Sequence, residues 1–62
     1  MDPNANLREQ LELAERLVEA DAPDPIDVRR LAELVLALDG WIVKGGFLPD
    51  QWDTPELEEE NQ

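Results

Sequence analysis

The sequence predicts an all-α protein: an antiparallel two-helix hairpin with a folded-back C-terminal segment, assembling as a four-helix-bundle homodimer. Three observations carry that prediction. Two stretches repeat apolar residues at helical spacing, with cap signals at their starts. A short Pro-containing connection, "ADAPD", separates them. The apolar face of the second stretch is wider than a single neighbouring helix covers.

The first helix is expected at about residues 7–20. Asn6 followed by Glu9 has capping-box spacing, in which the Asn side chain meets free N–H groups of the first turn. Asp2-Pro3 offers an earlier start, because Pro suits the first helical position. The helix ends before Pro23, which lacks an N–H and disfavours helical geometry at Ala22. At about 100° per residue, Leu7, Leu11, Leu13, Ala14, Leu17 and Val18 span an arc of roughly 160°.

The second helix is expected at about residues 25–44, with Asp24 as N-cap and Pro25 as the first helical residue. Lys44 suits the C-terminal end of the dipole, and Gly45 or Gly46 supplies the left-handed cap. The turn signal Asp39-Gly40 falls inside it. Gly40 lies on the polar side, where continuing the helix costs about 1 kcal/mol relative to Ala. Trp41 and Ile42 stay in phase with Leu34, Val35 and Leu38, so pattern favours continuation; a break at Asp39-Gly40 is the alternative. Asp39 itself falls within the apolar arc. Either it lies at a seam and reaches water, or it is a buried carboxylate paired with an Arg across a dimer.

That arc covers roughly 220°, whereas packing on one neighbour needs about 100°. Two sources of cover are expected together. Phe47, Leu48 and Trp52 fold back after the glycine cap as segment 45–52, and a second copy packs on Leu31, Leu34, Val35, Leu38, Trp41 and Ile42. Trp41 is read as core. Phe47, Leu48 and Trp52 have a second reading as an exposed anchor for another protein, because aromatics dominate interface hot spots. Residues 1–52 thus form the hairpin unit. Residues 53–62, acidic and with one large apolar residue, are read as a disordered tail.

The 62-residue chain is one domain at most, near the size where a lone core is marginal. Sixteen acidic and five basic side chains give a net charge of −11, which disfavours direct contact with nucleic acid or anionic membranes. The chain has no Cys, His, Ser or Tyr. Catalytic, cofactor and metal sites are therefore not expected. The nucleophiles and bases are nearly absent, and the acids match neither a di-metal bundle nor a calcium loop. The start lacks a signal-peptide pattern and no apolar run suits a membrane span, so a cytosolic protein complete from Met1 is expected. The acids of helix 1 and of "ELEEE" allow one sharper idea: imitation of a phosphate array that blocks a DNA- or RNA-binding protein.

The runs "NANLREQLELAERL" and "DVRRLAELVLALDGWIVKGGFLPDQW" together resemble a group of small acidic proteins of unassigned function from actinobacterial phages. The resemblance covers about Asn4 to Trp52. It rests most on a Leu/Ala-rich helix ending in Trp41, followed by Gly45-Gly46-Phe47-Leu48-Pro49 and Trp52. It implies a phage origin and expression in a bacterial host cytoplasm, and it carries over no site residues. Small phage proteins of this kind often bind a host protein, which makes a host protein the second expected partner after a copy of the chain itself.

Overall fold

A computed structural model describes residues 1–53. It contains two α-helices, α1 (Pro3–Glu19) and α2 (Pro25–Val43), packed against each other, and no strand among the described residues. Most of the expected tail lies outside the described residues.

Helix α1 starts one turn earlier than the Asn6–Glu9 spacing suggests. Asp2 is the N-cap: its carboxylate accepts from the N–H groups of Asn4 at 2.9 Å and Ala5 at 3.2 Å, with Pro3 as the first helical residue. Pro3 sets the helical φ in advance and has no N–H to leave unsatisfied. The extra turn frees Asn6 from capping and brings it to the interface with α2, where it is buried. At the other end, the Ala20 N–H donates to the Arg16 carbonyl before the chain turns extended.

Helix α2 starts as expected, with the Asp24 carboxylate accepting from the Ile26 N–H at 2.9 Å. It runs unbroken through Asp39-Gly40. Its C-terminus is a Schellman motif. The Gly45 N–H donates to the Ile42 carbonyl, and the Gly46 N–H donates to the Trp41 carbonyl at 2.9 Å. Gly45 takes the left-handed conformation at φ 96°, which a side chain would strain. Gly46 is needed for a different reason: a Cβ there would overlap the Trp41 indole.

Three cross-links give the relative direction of the helices. Asn6 reaches Leu34, Glu9 reaches Arg30, and Arg16 reaches Asp27. Residue numbers rise along α1 as they fall along α2, so the helices are antiparallel. Between them lies a small core of Leu7, Leu13, Leu34 and Leu38, each at most 6 % exposed. One polar group joins it. The Asn6 side-chain amide donates to the Leu34 carbonyl at 3.1 Å, and its oxygen accepts from Gln10 at 2.6 Å. Both ends of the buried amide are thereby satisfied, which avoids the desolvation cost of about 1–3 kcal/mol for an unpaired one.

Candidate interaction face

The hairpin has two unlike sides. On one, Glu9 and Arg30 form a two-pronged pair, with Arg30 Nε and a terminal guanidinium nitrogen donating to the two carboxylate oxygens at 2.7 and 3.0 Å. The Arg30 hydrogen bond holds the Glu9 carboxyl below its usual range, against a smaller opposing effect of desolvation. Arg16 pairs with Asp27 at 3.2 Å towards the loop, and Arg29 sits loosely on Glu33 at 3.7 Å.

The other side follows from handedness. Both helices are right-handed and run in opposite directions. At about 100° per residue, Leu7, Leu11, Ala14 and Val18 of α1 therefore turn to the same side as Val28, Val35 and Ile42 of α2. None of these seven residues is charged.

The residues after α2 cross the end of the hairpin away from the loop, from Trp41 on α2 to Asn4 on α1. Trp41 Nε1–H donates to the Phe47 carbonyl at 2.9 Å, and the two rings meet edge to face with centroids 5.6 Å apart. Pro49 is buried, and the Asp50 N–H donates to Asn4 Oδ1 at 2.7 Å. A turn follows, in which the Trp52 and Asp53 N–H groups donate to the Pro49 carbonyl. Asp50 and Gln51 share a groove of about 510 Å³ with Asn4, Leu7 and Leu11 and with the charged Arg8, Glu12 and Glu15. Trp52 shares a second, of about 190 Å³, with Gln10, Val35, Leu38, Asp39 and Ile42.

The residues expected to mediate self-association divide. Leu34 and Leu38 are buried against α1 within one chain and have no surface left for a second copy. Leu31, Trp41 and Ile42 are half-buried, and Val35 is 47 % exposed. The exposed apolar surface of the helices instead comprises Val28 and Val35 with Leu11 and Val18 from α1, and Ile26, Leu36 and Val43 further round α2. On the helical wheel the apolar residues of α2 form one arc. The hairpin splits that arc into a half facing α1 and a half facing outward. Leu11 and Val18 were legible as part of α1's apolar arc, but their alignment with Val28 and Val35 needs the direction of both helices.

Of the candidate partner contacts, Phe47 and Trp52 are exposed on the outside of the segment, and Leu48 is just over one-third exposed. Asp39 is exposed at the edge of the apolar side. The reading of it as a buried carboxylate therefore does not hold for the single chain, where it reaches water directly. Glu12, Glu15 and Glu19 are exposed along α1 and lie in no ion pair among the described residues. No described helix is long and apolar enough to cross a membrane.

The chain matches no family model, no curated protein and no solved structure.

Proposed function

We propose that the protein is a non-enzymatic, phage-encoded interaction module that works as a self-associated helical hairpin, with a host protein as its further partner in the bacterial cytoplasm. Segment 45–52 acts as a folded-back flap that completes one end of the unit. The observation that carries self-association is the exposed apolar row of Leu11, Val18, Val28 and Val35 shared by both helices, on a chain whose core is four leucines. Exposed Val18, Val28 and Val35 lose water contact only if something covers them. Full burial of an exposed Val contributes about 1.5–3 kcal/mol, of which half-exposed Val28 and Val35 have about half still to gain and Val18 nearly all. The resemblance over Asn4 to Trp52 supports the phage origin and, with it, the host partner.

The test is thermal unfolding followed by helicity over a wide range of protein concentration. Self-association makes the midpoint rise with concentration, because the assembled form is stabilised by mass action. A midpoint independent of concentration contradicts the proposal.

A second reading, an acidic mimic that blocks a DNA- or RNA-binding protein, is favoured by the exposed, unpaired Glu12, Glu15 and Glu19 on one helix. Its binding to a basic partner would weaken steeply as salt rises, because exposed charges are screened beyond about 10 Å at 0.1 M. Binding through Phe47 and Trp52 would tolerate salt and fail on Trp52→Ala.

A further inference from the structure

The groove of about 190 Å³ is formed by Gln10 of α1, one face of α2 and Trp52. Its apolar lining is Val35, Leu38 and Ile42 together with the half-exposed Trp52 ring, and its polar lining is Gln10 and Asp39. The Gln10 amide nitrogen is already committed, donating to Asn6 Oδ1 at 2.6 Å and to the Leu34 carbonyl at 3.5 Å. The Gln10 oxygen is left as an acceptor without a donor among the described residues. Asp39 is also unpaired there. All five basic side chains of the chain fall within residues 1–53, and none forms an ion pair with it. Apart from the indole N–H, the side chains lining the groove thus offer acceptors and an aromatic face, and no donor.

From this lining we propose that the groove receives an arginine side chain of a host protein, with the guanidinium against the Trp52 ring and donating to Asp39 and Gln10 Oε1. The inference rests on the host-partner reading and deepens it by naming the side chain the partner presents. It does not depend on self-association. A guanidinium suits the groove on three counts. It has donors and no acceptor, which matches a lining of acceptors. Its plane stacks on an aromatic face, where the charge is attracted to the ring. Its aliphatic stem lies along apolar surface while the head meets a carboxylate.

Other occupants fit less well. An apolar side chain would take Asp39 and the Gln10 oxygen out of water without replacing their hydrogen bonds, at a desolvation cost. An anion would meet Asp39 on a chain of net charge −11. A whole cofactor is too large, because pockets for such molecules begin at about 300 Å³. Lysine supplies the charge, but its compact, strongly hydrated ammonium neither stacks nor donates in a fork. The charge of the whole chain draws a basic partner in from a distance. Asp39 and Trp52 then select where one of its arginines comes to rest.

The probe is the blocked tripeptide acetyl-Gly-Arg-Gly-amide, titrated at low salt into the isotope-labelled full chain and followed by NMR. Shifts are expected to concentrate on the Trp52 indole N–H, the Gln10 side-chain amide and the backbone around Asp39. The same peptide with citrulline, nearly isosteric and uncharged, should leave them unmoved. Asp39→Asn, at an exposed position, is expected to weaken binding about fivefold, and Trp52→Leu about threefold. Asp21→Asn removes the same charge from the loop and should leave the affinity unchanged. Shifts spread evenly over the acids of both helices, or equal losses from Asp39→Asn and Asp21→Asn, overturn the proposal, because overall charge would then hold the peptide. Equal affinity for the lysine tripeptide overturns the choice of arginine. Because the probe is a free peptide, the groove is tested without any host protein, and failure here leaves the host-partner reading standing.

Discussion

The two sides of the hairpin use different physics. On one side Glu9 and Arg30, each about half exposed, join α1 to α2 through charge. Water and salt screen an exposed pair of this kind, so this side aligns the helices more than it holds them. The other side is apolar along its middle, from buried Leu7 to open Val18, with Asp39, Arg8 and Glu15 at its edges. It contributes nothing directional, but it has apolar area still to bury. A small chain can therefore fix its internal alignment on one side and keep the opposite side free for association. The four core leucines and the Asn6–Gln10 pair lie between the two and serve both.

Substitutions break this contrast by degrees. The largest effect belongs to the shared core. Leu38→Ala, at a side chain only 2 % exposed, is expected to cost about 3 kcal/mol and to abolish cooperative unfolding in denaturant titrations. Next is Gly46→Ala, which drives the Trp41 indole from its place and breaks its bond to the Phe47 carbonyl. Overpacking of this kind costs about 1–3 kcal/mol, and it should appear as a changed Trp fluorescence maximum and near-ultraviolet dichroism. Asn6→Ala leaves Gln10 as the only side chain at the Leu34 carbonyl. It is expected to lower stability by about 1 kcal/mol, read from the shift in denaturation midpoint.

Two smaller changes separate the sides. Val35→Lys alters only the apolar side. It should reduce association and, with it, helicity at a given concentration, as measured by sedimentation and circular dichroism. Arg30→Gln alters only the charged side. In the wild type, the Glu9 carboxyl titrates below its usual range because of Arg30. Unfolding releases that bias, so the unfolded chain binds the proton more readily. The pair's contribution is thus complete above the usual carboxylate range and fades as pH falls through Glu9's own lowered value. In Arg30→Gln the Glu9 titration, followed by NMR, should move back up, and this part of the acid dependence should vanish.

Much of the scaffold is legible in the residues. Asp24-Pro25 places the start of α2 without ambiguity, and the phase of Trp41 and Ile42 with Leu34 and Leu38 carries the helix through Gly40. The start of α1 is different, because two cap signals compete. Asp2-Pro3 prevails, since the added turn buries Pro3 and sends Asn6 to Leu34, a contact that only the packed partner makes favourable. The Schellman ending is readable from the double glycine. Gly46's second role, leaving room for the Trp41 ring, is not readable, because it depends on where an aromatic five residues earlier comes to lie. The interaction side is half legible. Wheel positions identify which residues are apolar, but Leu34 and Val35 look alike until α1 is in place, and then one is core and the other is surface.

The most direct measurement is absolute mass by light scattering on a sizing column, over a wide concentration range, with helicity followed in parallel. Self-association through the apolar side predicts a dimer mass that persists at high concentration, with helicity falling only as dilution splits the assembly. A helical monomer at all concentrations would contradict it, and would show that Leu7, Leu13, Leu34 and Leu38, with residues 45–52, suffice to hold the fold alone.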